Sequence, residues 1–324
     1  MEHKKIWAFM IQLGNNMWDK KGRQYTRIKD EEESVYRDFM YTVKAIWDEL
    51  TAFLPQCGIN TLLIDMGEGV RLDSHPELAV KGSWTKDEMR QELARLRSLG
   101  LTPIPKFNFS CGHSAWLQDY AYMVGTPKYY EVCKDIVEET IALFDNPPFF
   151  HLGLEEEDFA NQCTQPVVTV RSPAMKLRDA TFLFDICRSH GVRPWIWCNY
   201  ACIEGYGGDE AFQRNIPKDV LISNWFYGLV PNDPVRYEEN KSLKVYQKLG
   251  QWGYDQIPTS STFGANVLSS KDTMRFFRDD VDMATTLGFM TSPWFATMPK
   301  YKYALLNDAF VFGKAKEAIF PDEY

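Results

Sequence analysis

The chain has no long apolar run. None reaches the roughly 18 residues that a membrane-spanning helix needs, so no spanning segment is expected. A basic block is missing too. With a formal net charge of -8, the chain offers little to a phosphate backbone or an anionic bilayer surface, which removes nucleic acid and membranes from the expected partners. Histidine is scarce: five residues lie scattered without metal-ligand spacing, and neither a metal nor another cofactor is expected. The glycine-bearing EGYGGDE at 204–210 lacks the helix-opening pattern of a phosphate loop and reads as a substrate-facing loop.

Cysteine numbers seven, an odd count without CxxC spacing, which argues against a disulfide framework. Most of these residues sit inside apolar segments and read as reduced, buried thiols of a cytoplasmic protein. Cys111, beside Gly112 and His113, has the chemistry of a nucleophile, but no activating helix start or basic cluster accompanies it, and a packing role is expected. The opening MEHKKIWAFMIQLG lacks a small-residue cleavage site and reads as a first strand rather than a signal peptide.

Aromatics and acids are what the chain does have. Ten Trp, 16 Tyr and 21 Phe suit a pocket that packs the apolar faces of sugar rings, although aromatics also fill ordinary cores. In FFHLGLEEED at 149–158, a strand-like apolar run breaks at Gly153 and empties into Glu155, Glu156, Glu157 and Asp158. A solvated acidic turn is the plain alternative for such a run. Here the preceding segment has the character of a buried strand, so the acids are expected at the mouth of a sheet, where paired carboxylates transfer protons.

Apolar strand-like runs recur at 6–13, 60–65, 102–109, 149–155, 193–199, 220–225, 254–262 and 288–294. Amphipathic segments lie between them at 33–53, 85–99, 127–144, 174–190 and 271–286, the second opening on a Thr85/Glu88 capping box. After the sixth run the helix is expected to be replaced by the polar, proline-containing stretch 231–241. Eight such runs in 324 residues, with no low-complexity linker, predict an α/β fold: one (β/α)8 TIM barrel forming a single domain over 1–324.

A barrel of this kind carries its site at the C-terminal ends of the strands. Those ends hold Asn15, Asn16 and Trp18; Asp65 and Glu68; Asn108 and His113; Glu155 and Glu156; Trp197 and Asn199; Trp225 and Tyr227; Ser260 and Thr262; and Trp294. Acids, amides and tryptophans on one face are the chemistry of a sugar pocket. Arg71, Asp73 and His75, after the second strand, are within reach of a substrate or form an exposed loop network. His151, inside a strand, is expected to be a buried, hydrogen-bonded histidine.

Three stretches resemble glycoside hydrolase family 20, the β-N-acetylhexosaminidases. IPKFNFSCGHS at 104–114 is similar to the family's strand-three motif ending in Pro-Gly-His-Ser. FFHLGLEE at 149–156 is similar to His-Ile-Gly-Gly-Asp-Glu, and RPWIWCNY at 193–200 stands where the family has a Trp-Asp-Glu strand end. The resemblance covers roughly residues 35–230 in ordered combination. It implies hydrolysis of terminal β-linked N-acetylhexosamine with retention, the substrate's own acetamido oxygen acting as nucleophile. By that resemblance Glu156 is the general acid/base, Glu155 orients the acetamide and stabilises the intermediate, and His113 supports the acid. Trp197 and Trp225 hold the acetamide and the ring, while Asn15, Asp65, Glu68, Arg71, Asn199, Tyr227 and Trp294 are further candidates for binding sugar.

The chain departs from the family at several positions. Glu155 replaces an aspartate, the family's acidic pair after strand two falls on Met66 and Gly67, and Asn15-Asn16 stands in place of the strand-one arginine that grips sugar hydroxyls in the family. Asp65 and Glu68 are then the expected partners of His113. After Trp197 the family's Asp-Glu becomes Cys198-Asn199, and the family's N-terminal accessory domain is not expected here. Two other readings fit the same architecture. One is a glycosidase that pairs Glu156 directly with Asp65 or Glu68; the other is a non-catalytic carbohydrate-binding barrel.

The carboxylate reading also makes physical demands. A glutamate crowded by other carboxylates and indoles would have the raised pKa that a general acid needs. Neighbours on a regular strand point to opposite faces, so for Glu155 and Glu156 to serve one pocket the strand must end or bulge there, which Gly153 permits.

Overall fold

The computed structural model describes residues 5–17, 35–162, 167–230, 239–264, 266–281 and 283–323. Trp18 and Cys163 lie outside them. Eight strands form the core: β1 Ile6–Gln12, β2 Thr61–Asp65, β3 Thr102–Lys106, β4 Phe149–His151, β5 Arg193–Trp197, β6 Leu221–Ser223, β7 Thr259–Ser260 and β8 Gly288–Thr291. All pairings are parallel, in the order β6-β5-β4-β3-β2-β1-β8-β7. Bridges Ile222–Gln256 and Trp225–Thr259 join the two ends. The amides of Ile257 and Thr259 donate to the carbonyls of Ile222 and Asn224, both at 2.9 Å, and close the cylinder. This is the expected (β/α)8 barrel.

Alternation along each strand divides the apolar residues between two layers. Ala8, Met10, Leu63, Ile104, Trp195, Trp197, Leu221, Ile257 and Met290 form the inner cluster. Trp7, Phe9, Ile11, Leu62 and Ile64 point outward into a larger cluster shared with the helices. Each fully buried large side chain contributes about 1.5–3 kcal/mol, so the strands are held from both faces.

Helices follow most strands. Lys86–Ser98 starts on the capping box, with Thr85 accepting from Glu88 N and Glu88 reaching back to Thr85 N at 2.7 Å. Pro127–Leu143 and Pro173–Ser189 begin with proline behind a threonine or serine cap. Ser269–Asp280 and Lys302–Ile319 complete the C-terminal side of the ring. Among the described residues no helix is long and apolar enough to cross a membrane.

Three local expectations are corrected. The first helix covers Lys44–Phe53, not 33–53. Residues just before it pair with a loop instead, Met40 N donating to Lys81 O and Lys81 N to Asp38 O. Behind β6 a helix does exist, Lys241–Gln251; the Asn240 side chain accepts from Leu243 N and starts it, while Leu243, Tyr246 and Leu249 bury its apolar face. The stretch 204–210 is not a loop: it joins helices Tyr200–Gly205 and Asp209–Asn215, with the turn at Gly207 and Gly208.

Candidate active site

β4 ends early but keeps its place beside β5. Leu152 N donates to Trp195 O at 2.8 Å, and Trp197 N donates to Gly153 O at 3.0 Å. The backbone then turns: Gly153, Leu154 and Glu156 all have positive φ, at 73°, 73° and 49°. Strict alternation would have sent Glu155 and Glu156 to opposite faces of the sheet. The left-handed run abolishes it, at about 1–3 kcal/mol for each non-glycine residue held there. Gly153 is needed twice over, because a Cβ at this position would also meet Asn108 Oδ1 at 2.1 Å.

The loop after β3 locks this conformation. Asn108 Nδ2 donates to Glu155 Oε1 at 2.7 Å, Ser110 Oγ donates to the Glu155 carbonyl, and Cys111 N donates to Glu157 Oε1 at 3.2 Å. Gly112 lets the two loops touch, since a Cβ there would lie 2.6 Å from the Glu156 carbonyl. Below, the fully buried Arg171 bonds Glu157, Asp179 Oδ2 at 3.1 Å and the Phe109 carbonyl at 3.1 Å. Glu157, the third acid of the run, is therefore an anchor between the β3 and β4 loops, and Arg171 holds its carboxyl below the usual range despite burial.

The two remaining glutamates face one histidine. Glu155 is buried, at 4 % exposure, whereas 37 % of the Glu156 side chain is open. His113 Nδ1 lies 3.5 Å from Glu155 Oε1 and its Nε2 lies 3.4 Å from Glu156 Oε2. Burial alone would lower the imidazole's pKa. The hydrogen bond and charge of Glu155, with the charge of Glu156, outweigh burial and raise it. Glu155 moves the other way: burial pushes its carboxyl up, but His113 and Lys106 bring it below the ordinary value. A carboxylate paired with an imidazolium is the arrangement these opposed shifts describe. Glu156 has the His113 imidazole beside it.

Tryptophans wall the same mouth. Trp197 is buried, and its ring centroid lies 5.9 Å from those of both Trp225 and Trp294 and 4.7 Å from that of His151. Trp294, itself at φ 59°, donates Nε1–H to Tyr227 Oη at 2.7 Å. Burial pushes the Tyr227 phenol well up, and the charges of Glu156 and Glu155 add to that.

Beneath them the parallel register sets Gln12, Asp65, Lys106 and His151 side by side. Lys106, wholly buried, pairs with Asp65 Oδ2 at 2.5 Å. Burial raises the Asp65 carboxyl although Lys106 pulls it back. His151 is driven well below its ordinary value by burial and by Lys106, so its ring is neutral. Gly153 N donates to His151 Nδ1 at 3.1 Å, which leaves the proton on Nε2.

Glu155, Glu156, His113, Trp197, Trp225, Tyr227 and Trp294 therefore share one mouth, with Asp65 below. Other candidates stand elsewhere or are occupied. Glu68 accepts from the amides of Asn15 at 2.8 Å and Asn16 at 3.0 Å, tying the β2 loop to the β1 loop. Asp65 and Glu68 are not the partners expected for His113: one holds Lys106 and the other holds the β1 loop. Asn199 caps the helix Tyr200–Gly205 by accepting from Cys202 N at 3.0 Å. Arg71 is exposed, and His75 turns to Glu77 and Asp135. Lys106 is a site residue outside the sequence-based candidates, although a charged residue at the inward parity of Ile104 in an apolar strand is its signal.

No family model matches the chain. A β-hexosaminidase of Emericella nidulans is 22% identical over 232 residues, spanning 60% of this chain and 36% of that protein. The chain thus spans little more than a third of the length of this curated relative. Among solved structures, a β-N-acetylhexosaminidase from Bacteroides fragilis superposes with a TM-score of 0.63 at 13% identity, over 98% of this chain and 71% of that one. A family 20 β-N-acetylhexosaminidase from Streptomyces coelicolor gives 0.59 at 12%, over 96% and 64%. At these identities the structural likeness speaks for the fold. Over part of its sequence the chain resembles a β-hexosaminidase, and over nearly all of its length its fold resembles that of glycoside hydrolase family 20 β-N-acetylhexosaminidases, as a divergent relative.

Proposed function

We propose that this barrel hydrolyses terminal β-linked N-acetylhexosaminides with retention, using the substrate's acetamido oxygen as nucleophile. The observation that carries this reading is the pair of consecutive glutamates with unequal burial, bridged by His113 and backed by Trp197. A proton donor must reach the glycosidic oxygen at the pocket mouth, which suits the half-open Glu156. A group that faces the acetamide must be ionised and shielded from water, which suits Glu155.

In the first step Glu156 gives its proton to the glycosidic oxygen while the acetamido oxygen attacks C1. The C1–O bond to the aglycone breaks and an oxazolinium ring forms. Glu155 accepts the acetamide N–H and offsets the positive charge; its second oxygen, Oε2, is buried with no hydrogen-bond partner among the described residues. In the second step Glu156, now a carboxylate, takes a proton from water, whose oxygen attacks C1 on the face the aglycone left. The C1–O bond of the oxazolinium ring breaks, its electron pair returns to the acetamido oxygen and the acetamide is restored. Two inversions give retention. His113, touching both glutamates, positions them and does not itself meet the substrate.

The companion reading, with Asp65 or Glu68 as the direct partner of Glu156, is disfavoured because each is occupied, by Lys106 and by two backbone amides. A thiazoline mimic of the oxazolinium intermediate, with an aryl β-N-acetylglucosaminide and galactosaminide, tests the proposal. Turnover with tight thiazoline inhibition is expected. Turnover of aryl glycosides lacking the acetamido group, with no thiazoline inhibition, would overturn it.

A further inference from the structure

Two cysteines stand behind the acid-bearing turn, and the proposed reaction uses neither. Cys198 directly follows β5, and Cys202 is the third residue of the helix Tyr200–Gly205. Both are buried, and their thiols hydrogen-bond each other. The helix Pro173–Ser189 brings a third group to the same place: Lys176 Nζ lies 3.9 Å from Cys202 Sγ, and only 3 % of Lys176 is exposed.

A buried ammonium needs a counter-charge. Glu157 Oε2 lies 3.9 Å from Lys176 Nζ but already bonds Arg171, and the Tyr206 ring lies 4.8 Å away on another side. A thiolate on Cys202 therefore has a full positive charge in contact with it. The carbonyls of Leu154 at 3.5 Å and Trp197 at 3.6 Å accept from the thiol form and oppose this. The Cys198 hydrogen bond and Lys176 prevail over burial and hold the Cys202 thiol below its ordinary value. Burial and that same bond drive Cys198 well above its own. One sulfur of the pair is a nucleophile, and its neighbour stays protonated. Elsewhere burial makes thiols inert, pushing Cys187 up to about 12 and Cys57 up to about 11.

We propose that Cys198 and Cys202 are a dithiol site oxidised by peroxide, with Cys202 as the attacking sulfur, Cys198 as the resolving one and Lys176 as the activating cation. Hydrogen peroxide is close to water in size and needs no larger opening than the waters proteins bury. The Cys202 thiolate attacks one peroxide oxygen; the S–O bond forms, the O–O bond breaks, and the departing hydroxide takes up the proton that the thiol released. Cys202 is then a sulfenic acid. Cys198 attacks its sulfur, the S–S bond forms, the S–O bond breaks, and the second hydroxide leaves as water with the Cys198 proton. The sulfurs give up two electrons, which reduce the peroxide to water. The disulfide draws the Cys202 sulfur away from the carbonyls of Trp197 and Leu154, the latter a left-handed residue next to Glu155. Resting on the proposed hydrolysis, oxidation loosens the turn that carries both glutamates and lowers turnover.

The test treats the whole protein with a small excess of hydrogen peroxide and weighs the tryptic segment 189–214, which holds Cys198 and Cys202 and no other cysteine. In wild type this segment should lose two hydrogens before Cys187 or Cys57 changes, and regain them under a thiol reductant. Cys198→Ser should stop at a sulfenic acid on Cys202, trapped by a cyclic diketone, whereas Cys202→Ser should leave Cys198 unoxidised. Lys176→Met should slow the oxidation about tenfold or more by cutting the thiolate fraction. If that variant fails to fold, Lys176→Arg, which keeps the charge, should oxidise at close to the wild-type rate. A segment of unchanged mass, oxidation that begins at Cys198, or a rate indifferent to Lys176→Met overturns the proposal. Turnover of an aryl β-N-acetylglucosaminide should fall on oxidation and recover on reduction in wild type but not in Cys198→Ser. If the reduced protein has no turnover, the catalytic reading has failed separately. The segment mass then still decides the dithiol, and His113 ring resonances that move on oxidation, or do not, decide its link to the turn.

Discussion

The imidazole Nδ1 of His113 lies 3.5 Å from the Glu155 carboxylate, both groups buried, one contributed by the loop after β3 and the other by the loop after β4. Each shifts the other's titration: the imidazole upward from 6.5, the carboxyl downward from 4.5. The two strand ends are thereby joined by charge as well as by the Asn108–Glu155 hydrogen bond.

The sign of the linkage follows from those shifts. The raised imidazole contributes stability in full below pH 6.5, and the contribution is lost as pH rises through its folded-state value. The depressed carboxyl contributes in full above pH 4.5 and loses that as pH falls through its folded-state value. Glu155→Gln removes the main partner, so the His113 midpoint should fall, read by proton NMR titration of the ring. A midpoint unmoved by the substitution would refute the pairing.

Glu156→Gln keeps the shape and removes the transferable proton. General acid–base groups contribute about 10²–10⁴-fold, so kcat on an aryl N-acetylhexosaminide should fall by about three orders of magnitude with little change in substrate binding. Near-normal turnover by the variant on every active substrate would remove Glu156 from its role.

Gly153→Ala should cost stability and activity together. The new methyl group must sit at φ 73° and would start 2.1 Å from Asn108 Oδ1. A loss of about 2 kcal/mol or more in urea unfolding is expected, since a non-glycine residue there carries strain beyond the clash. Wild-type stability would mean that the β4 turn takes another shape.

Glu68 predicts a pH dependence of the opposite sense to that of Glu155. Burial pushes its carboxyl from 4.5 up to about 7, against the pull of the Asn15 and Asn16 amides. An acid with a raised value in the folded state favours folding most when protonated, so stability from this group is full below pH 4.5 and declines as pH rises through about 7. Thermal unfolding of Glu68→Gln beside wild type at pH 5 and pH 8 should show the variant gaining ground at the higher pH. A constant difference would contradict the shift.

The barrel was legible because strand and helix periods are properties of the chain read a few residues at a time. Eight apolar runs with amphipathic segments between them leave few other closed arrangements, and the Thr85–Glu88 box forms from four adjacent residues. The helix at Lys241–Gln251 has local signals in its Asn240 cap and its Leu243, Tyr246 and Leu249 spacing, but Pro231 and Pro234 just before it signal a loop and outweigh them in the sequence. Glu155, Glu156 and His113 were chosen by motif and strand-end position, and the structure brings them within contact.

Local pattern alone named the acids, the tryptophans and the strand ends on which they sit. It could not say which acid would be buried, that Glu157 would be consumed by Arg171, or that Lys106 would meet Asp65 inside the barrel. Those outcomes depend on register between strands roughly 40 residues apart and on three left-handed residues after β4. Neither is encoded by neighbours in the chain: a side chain's partner across a barrel is set only when the cylinder closes.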